Sequence, residues 1–125
     1  MRYTDFEVWK KAHTLTLVIY AMTCEFPADE KYGLVSQLRR ACVSVEANIA
    51  EGSNRATDVD FARFVNMAEG SIAEIDVLLK ISFDVGYFNF LESNTDEMQY
   101  STLVDCVRDV AKMLNAFRKT LKDDK

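Results

Sequence analysis

The sequence predicts an all-α protein, an up-down-up-down antiparallel four-helix bundle that forms a single domain over residues 1–125. The chain contains one proline and four glycines, so little in it interrupts long helices. Apolar residues make up 49% of the chain and recur at alternating three- and four-residue steps in four segments. Because short polar connections separate these segments, antiparallel neighbours in a bundle are favoured over other helical arrangements.

The first helix is predicted to run from about Asp5 to Phe26, because a proline follows directly. Its apolar stripe is expected to face the core, and Trp9, Leu17 and Val18 are expected to widen it. The stripe consists of Val8, Ala12, Leu15, Ile19, Met22 and Phe26.

The second helix is predicted from about Ala28 to Glu51, with carboxylates in its first turn at the positive end of the helix dipole. Gly52 is predicted to be the left-handed residue that ends it. Its buried face is expected to contain Leu34, Leu38, Cys42, Val45 and Ile49.

The third helix is predicted from about Asp58 to Val85, with Thr57 or Asp58 as its N-cap. Its apolar surface is wider than one bundle seam requires, which predicts a second partner for burial. Gly70, in mid-helix, is predicted to permit close packing of another backbone. We therefore expect a homo-oligomer formed by the sides of the first three helices. The main stripe consists of Phe61, Val65, Ala68, Ile72, Ile75 and Leu79.

The last helix follows a longer connection over residues 86–93. That connection is apolar enough to predict packing over the end of the bundle, and residues 94–97 resemble a capping box. The tail from about residue 122 is expected to fray. The helix itself carries a strict four-three stripe of Leu103, Val107, Val110, Leu114, Phe117 and Leu121.

The sequence contains none of the residue patterns that are typical of catalysis or metal binding. His13 is the only histidine, so no Glu-x-x-His pair exists, and its neighbours favour a packing role at the helix edge. No acidic residues stand three apart on a helix, and no glycine-rich phosphate loop or Ser–His–acid set is present. The sequence therefore predicts no enzyme activity, no cofactor, no catalytic metal and no small-molecule substrate.

The cysteines and the uncharged segments bear on cellular location. Cys24, Cys42 and Cys106 are odd in number and widely spaced, which predicts buried, reduced thiols in a cytoplasmic protein. The longest uncharged run, residues 12–24, is shorter than the ~20 residues that a membrane-spanning helix needs. No membrane association is expected.

A set of polar residues lies beside the apolar stripes of the second and third helices. We interpret it as a half-buried polar seam in which Arg40 or Arg39 pairs with Glu74, and Asn48 bonds across to Ser71 or to backbone. The alternative is a ligand-binding or catalytic cleft. The seam comprises Gln37, Arg40, Ser44, Asn48, Glu51, Ser71 and Glu74.

Five basic residues occur along the second helix, the following turn and the start of the third helix. Acidic residues interleave with them, which favours an ordinary charged surface, and a phosphate-binding patch is the alternative. The net charge of -5 disfavours long-range attraction to polyanions, so any nucleic-acid binding is expected to be local and weak. The five are Lys31, Arg39, Arg40, Arg55 and Arg63.

Several motifs carry a family resemblance over about residues 5–90. They are QLRRA at 37–41, NIAEG at 48–52 and GSxxE at 70–74, with FEVWxKA at 6–12 and GY at 86–87. With them the sequence resembles the four-helix-bundle proteins encoded by intervening sequences in bacterial 23S rRNA genes. Glu69 departs from the pattern, because such proteins often carry arginine there.

The resemblance implies a cytoplasmic bacterial protein that assembles into a ring, commonly a homopentamer. A non-enzymatic oligomeric scaffold or adaptor is therefore the expected function. A related bundle is the accessory protein of reverse transcriptases in diversity-generating retroelements, where it is strongly basic and binds nucleic acid. The alternative function is accordingly an RNA- or DNA-associated accessory protein that uses the arginine cluster.

Overall fold

The computed structural model describes residues 2–88 and 96–121, and within these ranges it contains helices and no strand. The four α-helices are α1 (Glu7–Thr23), α2 (Leu34–Ser53), α3 (Asp58–Asp84) and α4 (Asp96–Thr120). Short 3-10 turns at Tyr3–Asp5 and Ala28–Glu30 precede α1 and α2. The predicted all-α class is confirmed. No helix in the described ranges is long and apolar enough to cross a membrane.

The helices pack in a closed order around one core. α2 packs against α1 and α3, and α4 packs against α3 and α1. His13 of α1 contacts Glu46 of α2, while Tyr20 further along α1 contacts Arg39 earlier in α2. Residue numbers therefore increase along α1 in the direction in which they decrease along α2, so these two helices are antiparallel. This order is consistent with the predicted up-down-up-down bundle.

The predicted stripes form the core, but Trp9 and Leu34 are only partly buried against it, and two residues of α1 lie outside it. Leu17 and Val18 are 57% and 44% exposed, so the prediction that they widen the buried stripe is wrong. At about 100° per residue, Leu17 points roughly away from Leu15, which is buried. Phe117 on α4 is partly buried, and the remaining members of its stripe are buried.

The start of α2 differs from the prediction. The helix does not run continuously from Ala28, and the side chain of Glu30, in the preceding 3-10 turn, caps its first residue. α2 begins at Leu34, whose N–H donates to Oε1 of Glu30 at 3.0 Å. The hydroxyl of Tyr87 donates to Oε2 of Glu30 at 2.7 Å. These two bonds lower the pKa of Glu30, and the bond to Glu30 raises the pKa of Tyr87. Glu30 therefore joins the start of α2 to the chain that follows α3.

The role predicted for Gly52 is wrong. Gly52 lies inside α2 and is buried, and a Cβ there would lie 2.7 Å from Phe61 Cδ1 and 2.8 Å from Phe64 Cβ. It is thus the site of close helix packing, and the left-handed glycine is Gly86, with φ of 89°. A Cβ at Gly70 would meet nothing of this chain within 4 Å, so no close packing occurs there within the single chain, and the predicted approach of another backbone stays a prediction.

The two ends of α3 agree with the sequence. Thr57 caps it, since its Oγ1 accepts the N–H of Asp60 at 3.1 Å. After α3, Phe88 is 1% exposed, and its ring lies 5.9 Å from that of Phe83. The predicted packing over the bundle end is confirmed for this residue. The predictions for residues 89–95, the capping box and the tail from 122 lie outside the described residues.

Candidate functional site

The predicted polar seam is a short hydrogen-bonded link between α2 and α3. The hydroxyls of Ser44 and Ser71 lie 2.8 Å apart, and both side chains are half-buried. Asn48 Nδ2 donates to the Ser44 carbonyl at 2.9 Å and to its Oγ at 3.2 Å. Asn48 therefore supports Ser44 within α2 and does not cross to Ser71. The small serine side chains allow the two helices to come close while both hydroxyls stay bonded.

The longer polar members of the predicted seam, two of them charged, are not buried in it. Gln37, Arg40 and Glu74 are exposed and line a shallow groove of about 440 Å³ above the two serines. In residues 2–88 and 96–121 neither Arg39 nor Arg40 forms an ion pair with Glu74, so that predicted pairing is wrong. Water solvates these charges instead, which removes the desolvation that a buried pair would need to offset.

Glu51 also lies outside the seam. Its side chain is exposed at the end of α2, and its backbone carbonyl accepts a hydrogen bond from Arg55 at 3.2 Å. The seam is thus reduced to three residues, Ser44, Asn48 and Ser71.

Arg39 holds α2 against α1. Its Nε donates to Thr23 Oγ1 at 2.9 Å, and its Nη2 donates to the Tyr20 carbonyl at 3.1 Å. The guanidinium also lies over the Tyr20 ring, 4.6 Å from the centroid. These contacts occupy the Nε–Nη2 edge of the guanidinium, one of the two edges that could hold a phosphate in a bidentate manner.

The other predicted phosphate contacts do not converge on one place. Arg55 and Arg63 lie over the ring of Phe64, at 4.9 Å and 5.0 Å from its centroid, and Arg63 pairs with Asp60 at 2.6 Å. Lys31 lies before α2, whereas Arg55 follows it, and that helix is about 30 Å long. This dispersal favours the ordinary charged surface over a single phosphate site.

Glu69 has a structural partner that the sequence analysis missed. Arg118 Nε of α4 donates to its Oε1 at 2.6 Å, and Asn115 Nδ2 donates to its Oε2 at 3.2 Å. Glu69 is half-buried, and these contacts link α3 to α4. In the sequence, Glu69 is an acceptor on one helix, and Asn115 and Arg118 are donors three residues apart on another. These residues can be recognised as partners only when the register between the two helices is known.

His13 occupies the helix-edge position that the sequence predicted. Its ring stacks on Trp9 at 4.8 Å between centroids, and its Nδ1 lies 3.1 Å and 3.2 Å from the two carboxylate oxygens of Glu46. Trp9 Nε1 is buried without a hydrogen-bond partner among the described residues. His13 and Glu46 thus join α1 to α2.

The three cysteines differ in environment. All are free thiols; Cys42 is buried, Cys106 is partly buried, and Cys24 is exposed, so the prediction of burial is wrong for Cys24. Burial raises the pKa of Cys42 to about 12 and also raises that of Cys106, so both remain neutral thiols near pH 7. In the described part of the chain no three His, Cys, Asp or Glu residues are grouped for metal binding.

An exposed apolar face runs along α3 beside the seam. Met67, Val77, Ile81 and Val85 are 41%, 59%, 42% and 55% exposed. Helical spacing places them on the side of α3 that also carries Gly70 and Glu74. We call this set, with Gly70 and Glu74, the α3 face. Exposed apolar side chains that share one helix face form a surface that another molecule can cover.

Fold and seam together define a four-helix bundle whose second and third helices are joined by small polar side chains. The chain belongs to the 23S rRNA-intervening sequence protein family, whose family model matches residues 4–116. The resemblance seen in the sequence motifs is thereby confirmed.

A solved structure supports the fold. The chain is similar to a protein of unknown function from the S23 ribosomal protein family of Bacteroides thetaiotaomicron, with a TM-score of 0.72 and 19% identity. The match covers 90% of this chain and 98% of that one. At this level of identity the likeness establishes the fold alone. A comparison with curated proteins gave no significant match.

Proposed function

We propose that this protein is a non-enzymatic scaffold or adaptor of the bacterial cytoplasm that assembles with copies of itself through the α3 face. The observation that carries the proposal is the exposure of four large apolar side chains along one side of α3. Contiguous exposed apolar patches mark interaction surfaces, because monomers gain by burying them.

Gly70 and Glu74 add features that suit a second copy. A Cβ at Gly70 would have no neighbour within 4 Å in the single chain, so another backbone has room to approach there. Glu74 on α3 and Arg40 on α2 are exposed charges of opposite sign, and neither has an ion pair in the described residues. Such charges can pair between copies and fix their relative orientation. A pentamer is the assembly that the family resemblance implies.

Light scattering after gel filtration tests the proposal directly. The wild-type protein at micromolar concentration is expected to elute as an oligomer, and a monomer mass would refute the scaffold function. Val77→Asp is expected to give a folded monomer, because it places a charge in the α3 face. Val18→Asp is the matched control, since Val18 is a similarly exposed valine on the side between α1 and α4. Circular dichroism confirms that both variants fold.

The alternative is an RNA- or DNA-associated accessory protein. Arg40 and Lys31 are exposed, but Arg39 and Arg63 are engaged with the protein itself, and the net charge of -5 opposes attraction to a polyanion. We therefore expect weak or no binding at about 150 mM salt, where the screening length is ~8 Å.

A titration with single-stranded RNA at several salt concentrations separates the two functions. If three phosphates are neutralised, the log–log slope should be about -2, at ~0.7 per contact. Arg40→Glu should then remove binding, and Lys119→Glu on α4 should not. Submicromolar, sequence-independent affinity at about 150 mM salt would favour the accessory function instead.

A further inference from the structure

A groove between α1 and α4 is left unfilled by the bundle. Its volume is about 780 Å³, and it extends from Lys11 to Met22 along α1 and from Gln99 to Asp109 along α4. Its floor consists of Leu15, Met22 and Leu103, which are 2%, 8% and 6% exposed. Val18 lies at its wall and is 44% exposed, which is why it does not join the core as the sequence predicted.

The side chains along this groove are too short to close it. The two helices are held at one end by Phe6 and Phe117, whose ring centroids lie 5.3 Å apart. Further along, the facing residues include Thr14, Thr102 and Cys106, which are small. Protein interiors are normally filled to high density, so an apolar gap of this size between two packed helices is unusual.

The dimensions of the groove fit an elongated small molecule. With a helical rise of about 1.5 Å per residue, the stretch from Lys11 to Met22 is about 16 Å long. Ligand sites in proteins commonly have volumes of roughly 300–1,000 Å³ and apolar linings with a few polar groups. The groove meets both conditions.

Among the lining residues that the structure describes, the charged ones lie toward one end of the groove. Lys11 Nζ pairs with Asp109 Oδ2 at 3.4 Å, which leaves Asp105, one turn away, exposed and without an ion pair in the described residues. The lining residues that the structure describes at that end therefore carry a net charge of -1, the sum of two aspartates and one lysine. The described lining residues at the opposite end, Met22 and Gln99, are uncharged.

We propose that the groove binds an elongated apolar molecule that carries one cationic group, such as a long-chain amine. The apolar body lies over Leu15, Met22 and Leu103, where it removes apolar surface from water. The ammonium group lies beside Asp105 and Asp109. This site is on the opposite side of the bundle from the α3 face, so the proposal does not depend on oligomerisation.

The experiment uses the native cysteines as reporters on the full chain. Cys106 lines the groove and is partly buried, whereas Cys24 is exposed elsewhere and serves as an internal control. Alkylation of each thiol by a maleimide is followed by peptide mass spectrometry. The probes are decylamine, decanol and decanoate below their micelle concentrations. Decylamine is expected to slow alkylation of Cys106 at least about fivefold at a fewfold excess over its Kd and to leave Cys24 unchanged.

Two pairs of variants test the apolar and charged parts separately. Val18→Phe should fill the groove and abolish protection, whereas Val59→Phe, at an exposed valine of α3, should not. Asp105→Asn should weaken decylamine about three- to fivefold and leave decanol unchanged, as expected for one solvated charge pair. Asp76→Asn, at an exposed aspartate of α3, should change neither.

Specific outcomes would overturn the proposal. Equal protection of Cys24 and Cys106 would mean general adsorption. Equal protection by decylamine and decanoate would remove the cationic group from the proposal. Protection of Cys106 that is present without any probe and is lost on dilution would show that a second copy covers the groove.

Discussion

The contact between α2 and α3 is closely packed along its length, whereas the contact between α1 and α4 is open in the middle. α2 and α3 make the most extensive contact of the bundle, and α1 and α4 make the least extensive of the neighbouring pairs. Gly52 and the two serines let α2 and α3 come close along their length. Phe6 and Phe117 instead fix one end of α1 and α4 and leave the middle open. Small residues along a seam close it, whereas large residues at one end do not.

The largest expected difference between the two contacts is in the cost of truncating a buried side chain. Ile49→Ala in α2 should lower the free energy of unfolding by about 3–5 kcal/mol, because an enclosed cavity remains. Leu15→Ala should cost about 2–3 kcal/mol, because the lost volume opens into the existing groove, where the site can relax or hydrate. Urea unfolding measures both, and equal costs would indicate that the α1–α4 groove closes in solution.

A second pair of variants compares Gly52 with Gly70. Gly52→Ala should destabilise by about 1–3 kcal/mol, since its Cβ would overlap Phe61 and Phe64. Gly70→Ala has space and should stabilise the single chain by up to about 1 kcal/mol through helix propensity. Thermal unfolding at low protein concentration gives the sign of each effect. If Gly52→Ala proved neutral, α2 and α3 would be less tightly packed than described.

Gly52 illustrates which contacts a sequence does not determine. The stripes and the cap at Thr57 depend on periodicity and local hydrogen bonding, which a sequence displays directly. Gly52 stands just before a polar turn and so resembles a helix-ending glycine, and only the position of Phe61 across the turn distinguishes it. The Arg40–Glu74 pairing failed for a related reason. Helical spacing assigns residues to a face, but it does not determine how much water reaches that face.

A third pair of variants compares the hydrogen-bonded residue Asn48 of the seam with the exposed charge of Glu74. Asn48→Ala should cost about 1 kcal/mol, because the half-buried Ser44 carbonyl and hydroxyl each lose a donor. Glu74→Ala should change the free energy of unfolding of the monomer by less than about 0.5 kcal/mol, as is usual for an exposed side chain. Denaturant midpoints of the monomer test this. A larger effect of Glu74→Ala would support the predicted ion pair of Glu74 with an arginine of α2.

The smallest expected effect is a pH dependence at the start of α2. The pKa of Glu30 is lowered in the folded state, first by the Leu34 N–H and then by the Tyr87 hydroxyl. The unfolded chain therefore takes up its proton first, and the contribution of Glu30 is present above pH 4.5 and is lost as pH falls below it. Thermal midpoints of Glu30→Gln should fall less steeply with pH than those of the wild type.

The stacked pair on α1 makes the protein its own optical probe. Trp9 is the only tryptophan and His13 the only histidine, and their rings are 4.8 Å apart and nearly parallel. All tryptophan fluorescence therefore comes from one site, beside His13, whose ring contacts Glu46 of α2. Intrinsic emission excited at long wavelength reports separation of these two helices, with no label and no background from another indole. The order in which the helix contacts break can thus be followed by comparing that emission with the circular dichroism of the whole bundle.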